Sequence, residues 1–229
     1  MPGLLDILFP PPCIACGAVL DEGPLCRECE LGLEPLPAPR CARCAEPGDF
    51  GAADCPRCQE RPPPFTRAFA PFAHEGPIAR AIHLFKYEDR PELAAPLAAL
   101  AIRHSGAFLE RAPRLVCALP LHARRFRERR YDQAELLVAE LCKLTGRARL
   151  AGLERWRQTR RQVGLHESER EENVRGAFRA RRPLGPEPVL LVDDVLTTGA
   201  TARAAAAALR DAGATEVQVL ALARAFASP

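Results

Sequence analysis

Lysine, methionine, tryptophan and tyrosine are nearly absent: two Lys (Lys86 and Lys143), one Met, one Trp (Trp156) and two Tyr in 229 residues. Arginine carries the positive charge instead, and 32 basic against 29 acidic residues leave a formal net charge of only +3. Total charge therefore points to no polyanionic or polycationic partner, and an arginine-for-lysine bias alone is no nucleic-acid signal. Long apolar runs are missing too. No stretch approaches the roughly 18 residues of a membrane-spanning helix, which excludes that class of span. The opening stretch 4–9 is short, lacks a basic leader and is interrupted by Asp6, so it does not read as an export signal. The expectation is a cytoplasmic protein whose ten cysteines are reduced or metal-bound.

What the chain does have is unevenly spread. Residues 1–64 hold 13 of the 23 prolines, eight of the ten cysteines, 5 Arg and 10 Asp or Glu, a net −5 that leaves +8 for residues 65–229. The eight cysteines fall into four Cys-x-x-Cys pairs: Cys13/Cys16 then, nine residues on, Cys26/Cys29; Cys41/Cys44 then, ten residues on, Cys55/Cys58. Such a pair sets two thiolates on one side of a tight turn, and two pairs complete a tetrahedral four-sulfur shell for zinc. A segment this short and proline-rich cannot bury enough apolar surface to fold unaided, and zinc would supply the missing energy. A disulfide framework is the alternative, disfavoured by the expected reducing compartment. The matched gaps favour sequential ribbons, one zinc per two neighbouring pairs, with interleaved pairing also compatible. Either way all four positions on each ion are filled, so the metal is structural. The stretch 61–64, Arg-Pro-Pro-Pro, reads as a stiff extended linker, dividing the chain into 1–64 and 65–229.

Beyond the linker the pattern is α/β. Residues 65–72 alternate like a strand; 77–87 and about 91–104 read as helices; 115–119 is an apolar strand followed by Pro120-Leu121-His122 and five arginines within 124–130. Asp132 and Glu135 open a helix in capping-box style, with Leu137, Leu141 and Leu144 as its buried stripe and Gly146 as its stop. Residues 155–165 are polar and aperiodic, a basic excursion of the kind that forms a lid, and 166–174 reads as a charged helix. Residues 217–223 form a last strand. The stretch 189–201 organises the rest. Residues 189–192 are four apolar residues of a buried parallel strand; Asp193 and Asp194 follow; Thr197-Thr198-Gly199-Ala200-Thr201 turns into an alanine-rich helix that Gly213 ends. Backbone N–H groups at a helix start, hydroxyls beside them and a glycine permitting close approach make an anion cradle. Paired acids beside it suit the vicinal hydroxyls of a sugar. Lys86 stands out as a compact ammonium among arginines, or as a solvated helix-end residue.

Four Cys-x-x-Cys pairs, Leu84-Phe-Lys-Tyr87, Leu119-Pro-Leu-His122 with Arg124-Arg125, Arg129-x-Tyr-Asp-Gln-Ala134, Arg157-x-Thr-x-x-Gln162, Arg170-x-x-Asn173 with Gly176-Ala-Phe178, and the 189–201 stretch occur in that order. Together they resemble the ComF family, a double zinc ribbon fused to a phosphoribosyltransferase-like domain. The resemblance spans nearly the whole chain; Tyr131-Asp132 departs from the family's usual Phe-Asn. It implies a parallel sheet flanked by helices that binds phosphoribosyl diphosphate (PRPP) with magnesium. Thr197, Thr198, Gly199, Ala200 and Thr201 would hold the 5-phosphate, and Asp193 and Asp194 the ribose hydroxyls and the chemistry. Pro120, Leu121 and His122 would face the diphosphate, with Arg157, Thr159 and Gln162 on a flexible loop. It implies two structural zinc ions, and a link to DNA uptake: phosphoribosyl transfer to a base or amine, or a non-catalytic PRPP sensor or single-stranded-DNA-binding module working with a helicase.

Overall fold

A computed structural model of the chain describes residues 12–20, 22–51, 53–121, 130–157 and 172–226. The order of elements is α1 (Arg27–Leu31), α2 (Pro56–Glu60), β1 (Arg67–Phe69), β2 (Phe72–Ala73), α3 (Gly76–Tyr87), a 3-10 turn (Pro91–Leu93), α4 (Ala94–His104), α5 (Gly106–Glu110), β3 (Leu115–Ala118), α6 (Gln133–Thr145), β4 (Ala148–Leu150), β5 (Leu153–Arg155), β6 (Phe178–Ala180), β7 (Pro188–Leu196), α7 (Ala200–Asp211) and β8 (Glu216–Arg224). Six strands make one sheet in the order β1-β8-β7-β3-β4, with β2 also paired to β8, and every pairing is parallel.

The centre of that sheet is β7, paired to β3 on one side and β8 on the other. Val189, Leu190, Leu191 and Val192 are buried, because helices cover both faces and water competes for neither. The sequence pattern ends the strand before the acids; the structure carries it through them to Leu196. Pairing with β8 explains the extension, since Asp193 lies opposite Ala221 and Leu196 opposite Arg224. The helices follow their apolar stripes. In α3, Ile78, Ala81, Ile82 and Phe85 face inward; each aliphatic or aromatic side chain so buried is worth about 1.5–3 kcal/mol. In α7 the stripe is Ala202, Ala205, Ala206 and Leu209.

Helix α6 starts on Asp132, whose carboxylate accepts the Glu135 N–H, and ends at left-handed Gly146 (φ 67°). Its buried stripe is Ala134, Leu137, Val138 and Leu141, whereas Leu144, expected inside, is 53% exposed. Position 144 is the penultimate residue of the helix, where the buried stripe has already ended at Leu141. Three further strands escaped the sequence reading. The three-residue β5 and β6 form an antiparallel pair apart from the main sheet, and β4 adds to its edge beside β3; none is long enough to show a period. The expected helix at 166–174 falls partly outside the described residues.

The two cysteine-rich turns dock on different parts of the sheet domain. The first shares a buried cluster with α3 and α4: Ile14, Leu20 and Leu25 pack with Ile78, Phe85 and Leu97. The second packs with β7, β8 and α7, where Cys44 and Cys58 join Leu196, Ala202 and Leu209.

Candidate functional site

The turn after β7 runs from Thr197 to Gly199 and leads into α7. Gly199 precedes the first residue of α7 with φ 79°, a left-handed conformation that side chains resist. A Cβ there would meet only Leu196 Cδ1, at 4.0 Å, so glycine answers to the dihedral rather than to crowding. The Thr198 hydroxyl accepts the Ala200 N–H (3.4 Å), and the Arg203 N–H closes the first helical turn on the Gly199 carbonyl (2.8 Å). At the far end of α7, a Cβ on Gly213 (φ 116°) would lie 2.7 Å from the Leu184 carbonyl oxygen, so only glycine fits.

Just before the cradle, Asp194 is almost fully buried and pairs with Lys86: Nζ to Oδ1 is 2.7 Å, with side chains 13% and 16% exposed. The solvated-lysine alternative is thus excluded. Asp193 turns its carboxylate back to accept the Asp194 N–H (2.8 Å). Burial, reinforced by the Asp194 charge and opposed by Lys86, pushes the Asp193 carboxyl up to about 8. His74 lies within electrostatic reach of this pair; burial and then the Lys86 charge hold its imidazole below its usual range, and its backbone N–H donates to the Arg224 carbonyl (2.8 Å).

A third carboxylate enters from α6. Asp132 Oδ2 accepts the Leu121 N–H (2.8 Å) and Oδ1 the Glu135 N–H (3.2 Å). Burial raises its carboxyl above the ordinary value, and its charge in turn adds to the upward push on Asp193. Asp132 was legible only as a helix cap; that it also ties down the loop after β3 needed the fold. Beside it the Tyr131 hydroxyl donates to the Phe85 carbonyl and accepts the Arg90 N–H (3.1 Å). The hydroxyl that distinguishes Tyr131 from phenylalanine thereby anchors the end of α3, one residue before Lys86. His74 had no sequence signal.

Of the loop residues singled out from the sequence, Pro120 is buried and Leu121 half-buried at the end of β3. His122, Thr159 and Gln162 lie outside the described residues, as does most of the arginine run. Arg157 donates to the carbonyls of Asn173 (3.2 Å) and Arg175. Trp156 is 54% exposed, with the Arg179 guanidinium 5.4 Å from its ring centroid.

The eight paired cysteines form two groups, Cys13, Cys16, Cys26 and Cys29, and Cys41, Cys44, Cys55 and Cys58, each with its sulfurs within 4.8 Å of one another. Pairing is sequential, and none of the cysteines is in a disulfide. Zinc–sulfur bonds of about 2.3 Å imply tetrahedral S···S edges of about 3.8 Å; Cys16 to Cys26 is 3.8 Å and Cys44 to Cys55 is 3.6 Å. The donor set fits zinc. Burial raises the Cys13 thiol, but N–H groups at Cys26, Ala15 and Cys16 outweigh it and bring it down to about 6. Cys117 and Cys142 stand apart, and burial pushes the Cys117 thiol up to about 12, as for a packing residue.

These features define a class: a pair of four-cysteine zinc ribbons docked on a parallel α/β sheet whose central strand carries two adjacent acids and ends before a glycine turn. Residues 4–62 match the double zinc ribbon domain model. The chain is 33% identical over 192 residues to DNA utilization protein YhgH of Salmonella typhi, covering 80% of this chain and 83% of that protein. It is 32% identical over 196 residues to DNA utilization protein YhgH of Escherichia coli (strain K12), at the same coverages. Competence protein F of Haemophilus influenzae is 29% identical over 223 residues, 93% of this chain and 96% of that one. The chain belongs to the ComF family, whose members here include YhgH and competence protein F. Among solved structures, the allosteric regulatory enzyme of purine biosynthesis is similar at a TM-score of 0.39 and 24% identity, over 61% of this chain and 30% of that one. No helix among the described residues is long and apolar enough to cross a membrane.

Proposed function

We propose that the chain is a PRPP-binding, phosphoribosyltransferase-like protein that works in DNA utilization, transferring phosphoribosyl to a base or amine. The observation that carries this reading is the Lys86–Asp194 pair (2.7 Å) standing directly before the left-handed Gly199 turn. Sugar-diol acceptors and a phosphate cradle follow one another on one strand–turn–helix, at the carboxyl end of a central parallel strand where ligands of open α/β sheets bind.

In this reading Thr197, Thr198, Gly199, Ala200 and Thr201 hold the 5-phosphate by backbone N–H groups and hydroxyls. Asp193 and Asp194 hold the ribose hydroxyls. At neutral pH Asp193, raised to about 8, donates its proton to one hydroxyl while Asp194, neutralised by Lys86, accepts from the other. That division lets two adjacent carboxyls grip a diol without mutual repulsion. Pro120, Leu121 and His122 face the diphosphate. The Leu121 N–H is already engaged by Asp132, so diphosphate charge falls to neighbouring basic groups. Arg157, Thr159 and Gln162 lie on the loop that closes over the ligand and excludes water. Magnesium, a hard ion that keeps most of its ligands from water and substrate phosphates, would be held chiefly by the diphosphate, with Asp193 offering it an oxygen only once deprotonated. When bound it would neutralise the departing diphosphate. Residues 1–64 form the zinc-bearing part and 65–229 the PRPP-binding part, in a cytoplasmic protein.

A second reading, favoured by half-exposed Trp156 under Arg179, is a non-catalytic module. It senses PRPP or contacts single-stranded DNA by stacking and charge, alongside a helicase. Calorimetry with PRPP and magnesium is expected to show binding that Asp193→Asn/Asp194→Asn abolishes; equal affinity in that variant would overturn the site. Pyrophosphate release across a panel of bases and amines separates the two readings. Turnover with any acceptor supports the transferase, and tight binding without turnover supports the sensor.

A further inference from the structure

The two cysteine clusters touch the two helices that carry the candidate site. Helix α3, whose last turn carries Lys86, lies against the first cluster: Arg80 Nη2 donates to Cys29 Sγ at 3.9 Å. The approach there is close. A Cβ on Gly32, the cap of α1, would sit 3.2 Å from Pro77 Cγ, and one on Gly76 would sit 3.1 Å from the Gly32 carbonyl oxygen. Helix α7, which begins at the cradle, lies against the second cluster. Arg203, whose own N–H bonds the Gly199 carbonyl, donates through its guanidinium to the Arg61 carbonyl (2.6 Å) and to Cys58 Sγ (3.7 Å). The strand side is held as well. Arg224, 1% exposed, donates to the Cys44 carbonyl (2.8 Å) and pairs with Glu46. It stands opposite Leu196, the residue before Thr197, and the Ala225 N–H bonds the Leu196 carbonyl (2.8 Å). The second cluster thus braces the cradle turn on both flanks.

We propose that the two zinc clusters act as clamps that set the geometry of the site, with Arg80 and Arg203 as the positioning residues that transmit the hold. A zinc ion bound by four thiolates carries a net charge of −2, so guanidinium N–H···S bonds to it are charge-assisted. Loss of the ion frees the four sulfurs from their common shell, and the fixed acceptor of each guanidinium disappears. The first clamp then governs Lys86 and through it the ribose side; the second governs the 5-phosphate side. The choice of ligand rests on the phosphoribosyl reading of residues 197–201, whereas the clamps themselves rest only on the contacts above.

The test uses the full-length, zinc-loaded protein and the variants Arg203→Met, Arg203→Lys and Arg80→Met. Affinities for inorganic phosphate and for PRPP are measured by calorimetry, and zinc release to a chelating indicator is followed without ligand. Arg203→Met is expected to weaken both ligands roughly tenfold, a typical size for coupling between sites, and to speed the loss of one of the two zinc ions. Arg203→Lys, keeping the cation and one donor, recovers part of each loss. Arg80→Met is expected to weaken PRPP but not phosphate, and to speed loss of the other ion. By reciprocity PRPP raises the zinc affinity of the unsubstituted protein, read by competition with a chelator at equilibrium, a measurement that needs no variant to fold. Wild-type affinities in Arg203→Met and Arg80→Met at full zinc content would overturn the proposal. If the unsubstituted protein binds neither ligand, the phosphoribosyl reading falls, and zinc release alone decides: unchanged rates in Arg80→Met and Arg203→Met sink the clamps.

Discussion

Lys86 and Asp194 meet at 2.7 Å between the end of α3 and the far end of β7, both largely shielded from water. Breaking a buried pair by removing one partner leaves an uncompensated charge and costs about 3–5 kcal/mol. Residual exposure lowers that here, to about 2–3 kcal/mol for Lys86→Met. The double variant Lys86→Met/Asp194→Asn is expected to recover part of the loss, because no charge is then stranded. Urea denaturation of the four proteins gives the coupling. Strict additivity would mean the pair is geometric only.

The raised carboxyl of Asp193 makes a signed prediction about pH. An unfolded aspartate titrates near 3.9, whereas the folded group titrates at about 8. Between those values the native state holds the extra proton, so the contribution is fully present below pH 4 and is lost as pH rises through about 8. Asp193→Asn, which mimics the protonated form, is expected to flatten the stability profile over that window. Denaturation midpoints taken from pH 5 to 9 check this, and an unchanged slope would count against a protonated Asp193.

Two zinc ions per chain are expected, one in each cluster. Cys16→Ser and Cys55→Ser each remove one equivalent, and their combination removes both. Elemental analysis reads the stoichiometry directly. Retention of one ion in the combined variant would contradict the sequential pairing, which puts Cys16 and Cys55 in different shells. Chelation is expected to lower the melting temperature, since ribbons this small depend on the metal for folding.

Trp156 is the only tryptophan, so its fluorescence reports on one place. Single-stranded DNA stacking on it is expected to quench emission, with affinity falling as salt rises because phosphate contacts release counterions. Arg179→Ala removes the guanidinium 5.4 Å from the ring centroid and is expected to weaken binding. Absence of quenching at low salt would rule this surface out as a single-strand contact.

Local signals were legible where spacing forces geometry. The four Cys-x-x-Cys pairs, the Asp132 and Gly146 boundaries of α6, and the glycine turn into α7 could be read residue by residue. Leu144 was misread because periodicity says which side of a helix a residue lies on, not whether a partner reaches that far. The strand through Asp193 and Asp194 was cut short because acids read as surface, whereas pairing with Ala221 and beyond carries the backbone on.

The sequence by itself determined the cysteine pairs, the cradle turn with its paired acids, and the alternation of strand and helix, since each is a property of neighbours along the chain. Only the tertiary structure decided that cysteine pairs join sequentially, that Lys86 belongs to Asp194, that Asp132 and His74 come within electrostatic reach of the paired acids, and that Arg80 and Arg203 reach a cysteine sulfur. Those relations join residues far apart in the chain. The order in which strands pair and the faces on which helices dock bring them within hydrogen-bonding distance, and no local pattern encodes that.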